Sequence, residues 1–127
     1  MAVTYALGTP MTYLAGANVN ATYTAAAYLL EFGLEAEGVI NTESGYNWSD
    51  WYTALAATYP DVERLLVHAA ACFGAMHIIN ADESGFTNIQ EATDRKNFLF
   101  TMYLRDLETL KKESKKDFVR VGGGVYP

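Results

Sequence analysis

Charge is absent from the first 30 residues of this 127-residue chain, bases are scarce up to residue 110, and Cys72 is the only cysteine. One cysteine excludes an intramolecular disulfide, and its position in an apolar stretch points to a buried thiol made in a reducing compartment. Residues 1 to 110 hold 13 acids against Arg64, Arg95, Lys96 and Arg105, a balance of -9. Such a body cannot grip phosphates, because binding DNA requires Lys and Arg to displace its counterions. It fits a surface that nucleic acid must pass without sticking. Residues 111 to 127 reverse the sign, with five bases against two acids. The uncharged beginning lacks a basic n-region, and Thr9-Pro10 and Asn18-Val19-Asn20 interrupt its apolar character, which argues against a signal peptide.

Catalytic arrangements are missing too. There is no Gly-x-Ser-x-Gly elbow, and Gly122-Gly123-Gly124 leads into no helix and so makes no phosphate loop. The Glu-x-x-His pairing of carboxylate-bridged metal bundles does not occur. His68 and His77 are nine residues apart, on opposite faces of an ideal helix, so they read as packed or interface histidines. Cys72 has no histidine three or four positions later and no electropositive setting. The expectation is a protein that is not an enzyme, with no cofactor and no resident metal.

What is present is one domain's length of chain, half of it hydrophobic, which suffices for a modest single core. Its centre is Asp61 to Ile79, uncharged after Arg64 and rich in small residues that let neighbouring backbones approach. Two histidines interrupt it, and its length falls short of the ~20 apolar residues a bilayer needs, so a central core helix starting at Pro60 is expected and no membrane partner. Before it, Thr22 to Thr42 places Ala26, Leu29, Gly33, Ala36 and Ile40 on one face, with Glu31, Glu35 and Gly38 opposite. Gly33 on the buried stripe suggests close packing against another helix. A short helix follows, capped by Asn47 or Ser49 and ending before Pro60. Tyr46, Trp48, Trp51, Tyr52 and Tyr59 concentrate aromatic surface there, as core or as a contact surface.

A last helix is expected over 88–113, opened by a Thr87-to-Gln90 capping box. Ile89, Ala92, Leu99, Phe100, Tyr103, Leu107 and Leu110 form its buried stripe, and Asp94, Asn97, Thr101, Arg105 and Glu108 its wet one. Lys111, Lys112, Lys115 and Lys116 suit the negative end of that helix or an acidic partner. Phe118 to Val121 alternates like a short strand, and the three glycines free the final residues. Met1 to Asn20 has no periodicity and reads as an extended arm. Its Tyr5, Leu7, Met11, Tyr13 and Leu14 need cover, either on the chain's own domain or on a neighbouring subunit. The organisation expected is all-α: a small four-helix bundle over 21–113, an extended arm over 1–20, and a short C-terminal strand and tail over 114–127.

One loop carries possible ligands. Asn80 to Glu91 matches a calcium loop with oxygen side chains at positions 1, 3, 5 and 9, Gly85 at 6 and Glu91 at 12. Asn at position 1, Ser84 at 5 and Thr87 at 8 depart from that pattern. Gly85 in a left-handed turn and Thr87 as a cap explain most of the same residues. A small calcium-responsive or regulatory helical binding module is therefore the alternative function.

Two segments carry a likeness. Glu37-Gly38-Val39-Ile40-Asn41 followed by Gly45-Tyr46-Asn47-Trp48-Ser49-Asp50, and later Ile79, Asp82, Ser84-Gly85-Phe86-Thr87 and Glu91-Ala92, resemble the head-to-tail connector (adaptor) proteins of tailed bacteriophages. The similarity covers about residues 29 to 121. It implies a structural virion protein, made in the host cytoplasm and located in the neck between capsid and tail. It further implies a homo-oligomeric ring, expected as a dodecamer, that extends the DNA channel beneath the portal and receives the tail or a second adaptor. DNA would pass without sequence-specific binding. Under this resemblance Glu31, Glu35 and Glu43 are candidates to line the channel. Lys115, Lys116, Phe118, Val119 and Arg120 are candidates for portal docking, and Tyr5, Leu7, Met11, Tyr13 and Leu14 for contact between subunits.

Overall fold

The structure, a computed structural model, describes residues 3–86, 89–115 and 124–125. Five α-helices occur among them: α1 (Gly8–Ala15), α2 (Ala26–Ser44), α3 (Trp48–Leu55), α4 (Pro60–Ala81) and α5 (Ile89–Glu113). A 3-10 turn, Ala21–Thr24, precedes α2, and two-residue strands β1 (Tyr46–Asn47) and β2 (Gly124–Val125) pair antiparallel. The protein is mainly helical, as its periodicity predicts.

The uncharged run becomes the hub. Proline opens α4 where its missing N–H costs nothing, and Asp61 and Glu63 sit in the positive first turn. Helices α1, α2 and α5 pack against it and bury Leu66, Ala69 to Cys72, Gly74, Ala75, Ile78 and Ile79. At 22 residues α4 is long and apolar enough to cross a membrane by length and composition, so the argument from shortness does not hold. Half of its most apolar window is covered by the rest of the chain.

The arm is not extended. Residues 8–15 coil into α1, Gly16 stops it, and the segment folds back on its own domain. Tyr5, Ala6, Met11 and Ala15 are wholly buried in the common core. Arg95 of α5 clamps the end of α1 by donating from Nε and Nη2 to the Leu14 carbonyl at 3.1 and 2.7 Å. The expected separation of arm from bundle therefore gives way to one continuous core of five helices.

Two small-residue positions make this docking possible. A Cβ on Gly33 would lie 2.8 Å from Val3 Cγ1 and 3.0 Å from the Ala6 carbonyl, so the partner crossing α2 there is the N-terminal segment and not a helix. A Cβ on Gly74 would strike the Met11 side chain, which lies across α4 at that point.

The aromatic stretch is core. Tyr46, Trp48 and Trp51 are buried, with the two tryptophan rings edge to face at 5.5 Å. Asn47 caps α3 by accepting from Asp50 N at 3.3 Å, leaving Ser49 free for another partner. On α5, Ala92, Leu99, Tyr103, Leu107 and Leu110 are buried as their spacing predicts, but Ile89 is 74% and Phe100 48% exposed. Ala26 of α2 is exposed as well. The Thr87 cap and the Phe118 to Val121 strand lie outside the described residues. Gly124 and Val125 pair with Asn47 and Tyr46, so they do not hang free as the triple glycine suggested.

Candidate functional site

Helix α2 carries the acidic surface. Its charged residues are all glutamates, and Glu31, Glu35 and Glu43 are exposed. Glu35 and Glu43 border one shallow groove with Gly38, Val39 and Thr42, and Glu31 lies one turn before Glu35. Glu35 Oε1 comes within 3.9 Å of His77 Nε2. His77 is otherwise a packing residue, stacked on Phe32 with centroids 5.5 Å apart and against Phe73 at 4.7 Å.

The fourth glutamate behaves differently. Glu37 is 6% exposed, and its Oε2 accepts from the backbone N–H groups of Thr4, Tyr5 and Ala6 at 2.7, 2.9 and 2.9 Å. Its Oε1 accepts from the hydroxyls of Thr4 at 3.0 Å and Ser49 at 3.2 Å. One turn on, Asn41 Oδ1 accepts from Tyr5 Oη at 2.9 Å and from Trp48 N at 3.1 Å, while its amide donates to Ser49 Oγ. This network ties the N-terminal segment, α2 and α3 into a unit and satisfies backbone donors that a non-helical segment cannot satisfy itself.

The proposed contact residues of the arm divide. Tyr5 and Met11 are consumed by the chain's own core, which removes them as subunit contacts in this conformation. Tyr13, 81% exposed, and Leu7 remain available, with Leu14 half-buried. All three border a groove of about 420 Å³ between α1 and α4, with Arg64, Val67 and His68 on the opposite wall. On α5, Phe100 and Leu104, one turn apart, are exposed on one flank of the buried stripe and Phe98 on the other. Phe100 stacks on Tyr103, which meets Phe73, so rings run without a break from α5 through α4 to Phe32 of α2. Of the basic docking candidates, Lys115 is exposed just beyond α5, and Lys116, Phe118, Val119 and Arg120 lie outside the described residues.

In the loop from Asn80, residues 87 and 88 lie outside the described residues, and several of the other oxygen side chains are already engaged. Asn80 belongs to α4, and its Oδ1 accepts from Lys96 Nζ, which also pairs with Glu83. Asp82 accepts from Asn20 Nδ2 at 2.8 Å and Ser84 N at 2.9 Å, and these hydrogen bonds hold its carboxyl down at about 2. Glu91 accepts from Asn18 Nδ2 at 3.2 Å. An ammonium thus takes part of the place a cation would need. Gly85 does not adopt a left-handed conformation; a Cβ there would run into the Asn18 carbonyl, so its role is close approach.

A cluster at the α4–α5 seam escaped the motif reading. His68 Nδ1 lies 2.5 Å from Asp106 Oδ2, and Cys72 Sγ lies 3.9 Å from the same nitrogen. Asp106 is 3% exposed and Cys72 fully buried, while His68 reaches the α1–α4 groove. The histidine stands four residues before the cysteine, not three or four after it. Asp106 was legible as well: it falls between Tyr103, Leu107 and Leu110 on the stripe that helix spacing assigns to the core. Burial, reinforced by the neighbouring Asp106 charge, pushes the Cys72 thiol up to about 12, so the free protein holds it as an unreactive thiol.

Tyr46 and Tyr103 are also raised to about 12, chiefly by burial. A raised acid contributes stability below its unfolded value, and that contribution is lost as pH climbs toward its folded value. The unfolded chain ionises Cys at about 8.5 and Tyr at about 10. Thermal melts are therefore expected to lose several degrees between about pH 8 and about pH 11, with tyrosinate absorbance appearing together with unfolding for the buried pair.

No protein-family model, curated protein or solved structure matches this chain.

Proposed function

We propose that the protein is a structural component of a tailed-phage particle, a head-to-tail connector that acts as a homo-oligomeric ring between portal and tail. The observation that carries the reading is the segregation of its exposed surface. Helix α2 presents glutamates and no base, while exposed apolar side chains occur on several elements: Leu7 and Tyr13 on the N-terminal side, Tyr28 and Leu30 in the first turns of α2, and Ile89, Phe98, Phe100 and Leu104 on α5. Exposed apolar side chains on different elements suit contacts between dissimilar surfaces, the head-to-tail kind that closes into rings when the rotation allows. An acid-only ridge bearing Glu31, Glu35 and Glu43 suits the wall of a channel through which DNA slides, because it offers phosphates no counter-charge. The C-terminal tail with Lys115, Lys116, Phe118, Val119 and Arg120, of which Lys115 is exposed just beyond α5 and the others lie outside the described residues, is the portal-docking element, and the opposite end of the ring receives the tail or a second adaptor.

Native mass spectrometry over a range of concentrations, with and without calcium, tests this. A closed oligomer of about a dozen subunits, or ladder steps toward one, is expected, with no change on adding calcium. A monomer that takes up calcium stoichiometrically would replace the connector by a regulatory module. Cross-links from Glu31 or Glu35 to a neighbouring subunit would remove them from the channel wall.

A further inference from the structure

We propose that His68, Cys72 and Asp106 form a binding site for one divalent transition-metal ion of the zinc class, set in the seam between α4 and α5. The donor set is imidazole nitrogen, thiolate sulfur and carboxylate oxygen, the mixture that a borderline ion such as zinc accepts and that calcium or magnesium does not. Two of the donors stand one turn apart on the longest-buried helix, and the third comes from the helix packed against it. All three donor atoms lie within 4.8 Å of one another.

The geometry is close to what an ion requires. With metal–donor distances of about 2.1 Å for N and O and about 2.3 Å for S, a tetrahedral site holds its donors roughly 3.3 to 3.7 Å apart. The Cys72 to His68 separation of 3.9 Å needs little change, and the His68 to Asp106 contact of 2.5 Å must open by about 1 Å. His68 can make that movement, because its side chain is partly exposed and borders the α1–α4 groove. The same exposure gives the ion its route in and leaves a fourth position for water.

The environment favours a cation. Asp106 is a buried carboxylate that, among the described residues, meets His68 Nδ1 and, at 3.9 Å, Arg105 Nε. Such a group is costly to hold in a low-dielectric seam. The ion would stand between Nδ1 and Oδ2, beside Cys72 Sγ. On binding, metal–sulfur, metal–nitrogen and metal–oxygen bonds form, the Cys72 S–H bond breaks, and its proton leaves to solvent; a second proton follows if His68 was charged, and no electron is transferred. The site would pin α5 to α4 through His68, Cys72 and Asp106, none of which the connector assignment uses, so it is independent of that assignment.

The test is cobalt and zinc titration of the intact chain. One equivalent of Co²⁺ is expected to give a thiolate-to-cobalt charge-transfer band, and Zn²⁺ to displace it with proton release and a rise in melting temperature. Cys72→Ser and Asp106→Asn should each weaken Zn²⁺ binding by at least about a hundredfold, Cys72→Ser with loss of the band, and His77→Gln should leave both unchanged. If a variant fails to fold, the wild-type cobalt spectrum decides alone. A folded wild-type chain that takes up no Co²⁺ or Zn²⁺ at micromolar concentration, or whose cobalt spectrum lacks the thiolate band, overturns the proposal.

Discussion

Replacing Glu37 by alanine is expected to destabilise the protein by about 3–5 kcal/mol, the range for removing one member of a buried charged network. Three backbone N–H groups, of Thr4, Tyr5 and Ala6, lose their acceptor at once, and Tyr5 and Ala6 are fully covered. Each buried donor left unpaired costs about 1–3 kcal/mol, and the chain can limit the sum only by releasing the segment to water. That release would uncover Tyr5 and loosen Met11, so apolar burial is lost instead. Glu37→Gln separates charge from shape. Its carbonyl oxygen can still accept the three N–H groups, and its amide can donate to the Thr4 and Ser49 hydroxyls, which are free to reverse their roles. Only the charge assistance disappears, for an expected cost of about 1–2 kcal/mol. Urea denaturation of the two variants checks the order, and limited proteolysis should find the N-terminal segment cut faster in Glu37→Ala alone. An alanine variant within about 1 kcal/mol of the parent would mean that the carboxylate does not hold the arm.

Glu37 also marks the boundary of what the sequence could reveal. Its three backbone donors come from 31 to 33 residues away, a separation that no local pattern encodes, so a glutamate on a helix reads as wet. Helix α4 was legible because a long uncharged run must be covered and Pro60 announces its first turn. Helix α1 was not, since eight residues offer only Met11 and Ala15 as a buried pair, one turn apart, amid glycine and threonine. On α5 the period was right and the width was wrong. Ile89 and Phe100 flank the buried stripe and stay 74% and 48% exposed. Asp106 shows the reverse, a charged residue whose helical position assigned it to the core while its chemistry suggested solvent.

The residues on which the proposed resemblance to phage connectors rests include those that knit the first half of the fold. Glu37, Asn41 and Ser49 share one hydrogen-bond network, and Tyr46 and Trp48 are buried beside it. A motif with that role preserves packing, and packing can be shared by proteins whose surfaces do different work. The discriminating residues of the ring proposal are therefore elsewhere, on the exposed side of α2 and among the exposed apolar side chains of α5.

Met11→Ala is expected to cost about 3 kcal/mol, within the range for truncating a buried methionine, because Met11 is the side chain by which α1 grips α4. Its groove exists because position 74 is glycine: a Cβ there would fall 2.6 Å from Met11 Cγ and 2.9 Å from Cε. Gly74→Ala should accordingly destabilise the parent protein by about 1 kcal/mol, overpacking outweighing the gain in helix propensity. In the Met11→Ala background the obstruction is gone. The same Gly74→Ala change should then stabilise by about 1 kcal/mol, since alanine is the better helix former and part of the vacated space is filled. The two substitutions would thus show a coupling of about 2 kcal/mol, measured as a double-mutant cycle in urea. Additive effects would mean that α1 does not pack on Gly74. A reversal of sign ties the uncharged beginning of the chain to the helix around which the rest is built, and leaves Leu7 and Tyr13 as the part of that segment free to meet a neighbour.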